Sequence, residues 1–173
     1  MKLNSFYEAT TALCFALLGF WWVVIQMRHD EFTSDRRMRA IAYNVSLSFV
    51  LPGLMSLTAL LAVENNALWR VGFGVAGLAG AMQSAYVIAT PATYGVRRGI
   101  LRAGRWATLV LYALIALVAL RPRLANDVGM DVSGLAVEGA IVALFLFLNV
   151  NLAFAYFMHP SHEPLLADAA SDG

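Results

Sequence analysis

GLAVEGAIVALFLFLNVNLAFAYFM, residues 134–158, carries one formally charged residue, Glu138. A continuous apolar run of this length matches the roughly 20 residues an α-helix needs to cross a bilayer. Four other stretches read the same way, at about residues 5–27, 40–62, 67–90 and 105–120. The fourth is short, and it can borrow residues from Gly99 onward if Arg102 and Arg105 snorkel to the interface. Lipid offers the backbone no hydrogen bonds, so helices are the expected form, and continuous runs exclude the alternating strands of a β-barrel.

The composition of the whole chain agrees. Of 173 residues, 60% are hydrophobic and 13% charged, with a mean hydropathy of +0.68. A soluble domain is about 45–50% apolar and about 25% charged. A chain this short has too little interior to hide the excess. The fold class is therefore all-α: an integral membrane bundle of five transmembrane helices over residues 1–158. The Pro-interrupted, acidic segment 159–173 is expected to be a disordered tail. The first span has only Lys2 ahead of it, an apolar stretch longer than a signal peptide's, and no small-residue cleavage site, so it reads as a retained helix.

Basic residues set the orientation. The loop 28–39 and the loop 91–105 together carry eight arginines, against Lys2, Arg70, Arg121 and Arg123 on the other side. This places the N-terminus outside and the C-terminus inside, with the tail adding no basic residue to the inner count. Trp21, Trp22, Trp69 and Trp106 fall near span ends, where interfacial aromatic belts are expected. The loop around Arg97, Arg98, Arg102 and Arg105 is expected to lie on anionic headgroups, making membrane lipid a partner. Arginine in preference to lysine, with compact loops, suits a bacterial inner membrane.

Missing residues exclude several chemistries. A net charge of +1 gives no basic field for nucleic acid. Cys14 is the single cysteine, so a disulfide, a cysteine zinc site and a redox pair are out, and packing is its expected role. No histidine or lysine lies within a span, which removes buried bis-histidine haem, a Ser-His hydrolase and a retinal Schiff base. In the tail, Pro160 and Pro164 interrupt His159, His162 and Glu163, so no metal is expected. Neither enzymatic activity nor a cofactor is expected.

Two patterns remain. On span three, Gly72, Ala76, Gly80 and Ser84 form a row of small residues, with Gly77, Ala81, Ala85 and Ala89 beside it. Such rows let helix backbones approach closely in lipid. They read either as the central helix of a monomer, or as a seam between copies of the chain or a pore-lining helix. Polar residues form the second pattern. At about 100° per residue, positions 11 or 18 apart share a face. This aligns Glu138, Asn149 and Tyr156 on span five, and Glu8 with Gln26 on span one. Asn44 and Ser48 share a face of span two, and Gln83 lies over the small-residue row of span three.

Ionisable groups in spans are costly, so they pair, face water or serve function. The functional reading is a polar path: Glu8 and Glu138 at the outer mouth, tuned by Arg70 at the same level, with Asn44, Gln83 and Asn149 deeper. The structural reading is that the acids sit at the headgroups, that one or both pair with Arg70, and that the amides tie helices together. Pro52-Gly53 is expected to kink span two near its middle. Together these features point to a small channel or transporter for a cation, proton or small polar solute, acting as a homo-oligomer. A non-catalytic accessory subunit of a larger membrane complex is the alternative.

Overall fold

Backbone groups that cannot reach water must bond within their own segment, and the structure follows that rule. A computed structural model describes residues 3–34, 36–62, 66–89, 98–121 and 134–157. Among them the regular structure is helical: α1 (Leu3–Met27), α2 (His29–Ser34), α3 (Arg36–Leu61), α4 (Asn66–Ala89), α5 (Arg98–Leu120) and α6 (Gly134–Phe157). All but α2 are long and apolar enough to span a membrane. The protein is a multi-pass membrane protein. The tail 159–173, with His159, His162 and Glu163, lies outside the described residues, as do the loop 90–97 and the side chain of Tyr156.

Two helices begin before their apolar runs do. α5 starts at Arg98, seven residues before Arg105, and α3 starts at Arg36, four before Ala40. Hydropathy reads the part of a helix that lipid must cover, whereas arginine is a good helix former that simply extends the rod into the interface. The short α2 carries too few residues for a periodic signal, yet its Phe32 is buried. Phe32 meets Trp21 edge to face, with ring centroids 6.1 Å apart.

The tryptophans divide. Trp22 and Trp106 are exposed, as interfacial anchors should be. Trp21 and Trp69 are core residues instead. The Trp21 indole N–H donates to the Ala42 carbonyl at 3.2 Å, and Trp69 stacks edge to face on Phe73. A buried indole needs one acceptor, and hydropathy cannot show that the neighbouring helix supplies it.

Packing makes α3 the hub, touching α1, α2, α4 and α6, while the main neighbours of α4 are α3 and α5. Span three is thus a peripheral hairpin arm and not the central helix. Its glycines at 72, 77 and 80 are used inside the chain, whereas Ala85 and Ala89 are exposed. Gly72 faces Thr58 of α3, and Gly80 lies under the Tyr112 ring of α5. A Cβ on Gly77 would sit 2.9 Å from the Ala116 backbone nitrogen. The opposite face of α4, with Val71, Val75, Leu78, Met82 and Tyr86, is exposed as a lipid-facing surface should be. On α1 and α3, Gly53 gives Cys14 its berth, a Cβ there lying 3.2 Å from the Cys14 Cβ. Cys14 is fully buried.

Helices α3, α4, α5 and α6 pack in sequence around a ring, and α6 closes back on α3, with α1 flanking α3 and α6 from outside. The end where α1 begins is termed the N end below, and the end where α6 finishes the C end. Towards the N end the ring is filled by Met55, Phe73, Ile115, Val142 and Phe145, all fully buried. Towards the C end it is not filled.

Candidate functional site

At the C end the four-helix ring lines a partly open cavity of about 90 Å³. Each wall contributes polar groups at helical spacing. α3 brings Asn44 and Ser48, one turn apart. α4 brings Gln83 and Ser84 beside Gly80. α5 brings Arg105, Thr108 and Tyr112 along one stripe, and α6 brings Asn149 next to Leu152 and Ala153. Tyr112 packs on Phe145 with ring centroids 4.4 Å apart, so this aromatic pair separates the cavity from the filled half of the ring.

Five polar side chains of the wall are held by specific bonds. Gln83 Nε2 donates to Asn44 Oδ1 at 2.7 Å, tying α4 to α3. Asn44 Nδ2 donates to the Ala40 carbonyl at 3.0 Å, and Asn149 Nδ2 to the Phe145 carbonyl at 2.8 Å. The hydroxyls of Ser48 and Thr108 donate to the carbonyls of Val45 and Gly104. Pro52 adds one further acceptor. Its missing N–H leaves the Ser48 carbonyl, four residues earlier, without a helical donor, and α3 runs as a helix through that point.

Three of the residues singled out by helical spacing, Asn44, Gln83 and Asn149, therefore meet at one cavity, with Ser84 from the small-residue row in its wall. The three charged ones do not meet. Glu8 lies on the exposed outside of α1. Arg70 is exposed and donates from Nε to the Ala119 carbonyl at 3.1 Å and from Nη2 to Leu120 at 3.3 Å. It caps the C-terminus of α5, where unpaired carbonyls and the negative dipole end favour a cation. Glu138 is fully buried at the N end, and neither carboxyl oxygen meets a protein donor.

The surroundings of Glu138 are aromatic. Tyr7 of α1 lies beside it, donating its phenol hydrogen to the Leu135 carbonyl at 2.7 Å, one turn earlier on α6. The Tyr7 ring meets Phe6 and Phe73 edge to face. Ser56 on α3 is the other buried side chain at this end whose hydroxyl is left without a partner. Buried polar atoms without partners are uncommon, and each carries a desolvation cost of about 1–3 kcal/mol. Sequence periodicity aligned Glu138 with Asn149 and Tyr156 on one face of its helix. It did not single out Ser56, Thr108 or Tyr112, because hydroxyls are ordinary in membrane helices and their rotation towards one space depends on the neighbouring helix.

No known protein family, characterised protein or solved structure matches this chain. The chemistry must be read from the site itself. Among the described residues, no three His, Cys, Asp or Glu side chains come together as metal ligands would.

Proposed function

We propose that this chain is a small transporter or channel of the cell membrane, moving a cation, proton or small polar solute through the ring formed by α3, α4, α5 and α6. The observation that carries the reading is the polar cavity, lined by amides and hydroxyls of all four helices, in a bundle whose outward faces are apolar. Interhelical hydrogen bonds in membranes average only about 0.6 kcal/mol. Stability alone is a weak reason to place three amides around one space.

With the N-terminus outside, the cavity opens towards the cytoplasm. The aromatic pair Tyr112 and Phe145 then forms the constriction, and Glu138 is the polar station the solute meets beyond it. The cavity is built by a single chain, so each protomer carries its own site. Association of copies would use the exposed apolar faces, since Gly72, Gly77 and Gly80 already pack within the chain.

The test is flux into proteoliposomes containing the purified full chain, compared with Asn149→Leu and Gln83→Leu. Passage of some solute above protein-free vesicles, reduced in both variants at unchanged melting temperature, supports the reading. Absence of passage for every solute and gradient overturns it. A non-catalytic assembly subunit is then the better description, and co-purification of a different chain would support that.

A further inference from the structure

Among the described residues Glu138 is the one buried carboxyl, and both of its oxygens lack a donor. It stands four residues into α6, roughly 6 Å from the start of the helix by the rise per residue. The ring at this level offers it no charge. α3 from Phe49 to Leu61, α4 from Val71 to Ala81 and α5 from Leu109 to Leu120 hold no Asp, Glu, Lys, Arg or His. Their one titratable group, Tyr112, packs on Phe145 at the cavity. Nearer the N end, Arg70 is engaged with the Ala119 and Leu120 carbonyls, Arg121 is exposed past the end of α5, and Glu8 faces outwards from α1. The titratable side chain that does lie against Glu138 is Tyr7 of α1.

The occupant of such a carboxyl follows from its surroundings. An ionised carboxylate without a partner is among the costliest groups to bury, whereas a bound proton removes the charge. A metal ion would ask for several oxygens, and among the described residues no three candidate ligands come together. Met55, Phe73 and Val142, fully buried at the same end, add no oxygen. A proton needs one oxygen and no space of its own.

Tyr7 supplies the cover. Its hydroxyl donates to the Leu135 carbonyl at 2.7 Å, and the same oxygen stands 3.3 Å from where a Cβ on Gly139 would be. The phenol therefore ties α1 to α6 on both sides of Glu138. Elsewhere α1 packs mainly on α3, so this tie can yield without opening the ring. A phenol has one hydrogen to give. When Glu138 releases its proton to water at the N end, that hydrogen turns from the Leu135 carbonyl to the carboxylate, which compensates the new charge and loosens α1 from α6.

We infer that Glu138 is a proton-binding site gated by Tyr7, and that solute passage through the ring is coupled to the binding and release of that proton. The coupling, though not the site, rests on the transport reading above.

Infrared spectroscopy of the full chain in phosphatidylcholine vesicles tests the site without reference to transport. Exposed carboxyls are ionised at neutral pH, so the expected result is a protonated-acid carbonyl band in the wild-type chain that is missing from Glu138→Gln. Identical spectra overturn the site. In the wild type alone, raising the pH should remove the band in one step, and a band that persists at every pH overturns proton exchange there. Tyr7→Phe, which deletes the tie to Leu135, should speed hydrogen–deuterium exchange of the acid about fivefold, the worth of one ordinary hydrogen bond. Unchanged exchange overturns the gate. For the coupling, proteoliposomes with a pH-sensitive dye inside receive gradients of potassium, chloride or urea. Passage of one of these should carry a proton signal in the wild type that Glu138→Gln loses. Passage without that signal overturns the coupling and leaves the transport reading standing. No passage of any probe overturns both, and the infrared band still decides the site.

Discussion

The two ends of the four-helix ring treat their polar side chains in opposite ways. At the C end the amides and hydroxyls are oriented by bonds to carbonyls and to each other, and the space between them is left open. At the N end Glu138 and Ser56 are enclosed by packed aromatic and aliphatic side chains, with no protein partner for the carboxyl or the hydroxyl. A polar group kept in lipid for stability would be expected to find its partner. The C end keeps an open polar space, and the N end tolerates a desolvation cost that packing alone does not explain.

Each contrast can be broken by substitution. The largest effect is expected from Asn149→Leu combined with Gln83→Leu, which removes acceptors from two walls. Solute passage should fall to the level of protein-free vesicles while the melting temperature changes little. Retention of passage would show that the C end is only helix glue. Glu138→Leu should do something different: removing an unpartnered buried carboxyl should raise stability by about 1–3 kcal/mol and at the same time slow passage. Such a stabler but slower variant is the signature of a residue kept for function. A variant that is less stable would mean that Glu138 holds a partner the helices do not supply.

Smaller effects separate bystanders from the path. Trp21→Phe should cost about 1 kcal/mol, since it deletes the bond to the Ala42 carbonyl under the Phe32 edge. Arg70→Ala should cost about 0.5–1 kcal/mol by uncapping α5 and leave passage unchanged, because its guanidinium is engaged with the Ala119 and Leu120 carbonyls. The smallest effect is expected of Ser56→Ala, neutral or stabilising by less than about 1 kcal/mol. Chemical denaturation of the detergent-solubilised chain, followed by circular dichroism, measures all three.

Much of the site was legible in the residue pattern, and the limit of that legibility is physical. Helical spacing marked Asn44, Gln83 and Asn149 as members of polar stripes deeper than the acids. It also put Glu8, Glu138 and Arg70 at one depth, and there depth was not enough. Residues at the same level can point around a helix in any direction, and the structure turns Glu8 outwards, Glu138 inwards and Arg70 onto the end of α5. The reading of span three as central failed for a related reason. Small residues permit close approach without saying how many neighbours approach, and α3, with Pro52 and larger side chains, became the hub.

The amino-acid sequence by itself determined that five helices cross a membrane, and nearly where each begins. That follows from the transfer free energy of consecutive side chains, which is a local sum along the chain. Only the tertiary structure decided that α6 closes a ring with α3, that Trp21 and Trp69 turn into the core, and that Asn44, Gln83 and Asn149 meet at one cavity. Those outcomes depend on which helix stands opposite each side chain, and lipid, as apolar as the helices themselves, leaves that choice to shape and hydrogen bonding between segments distant in the chain.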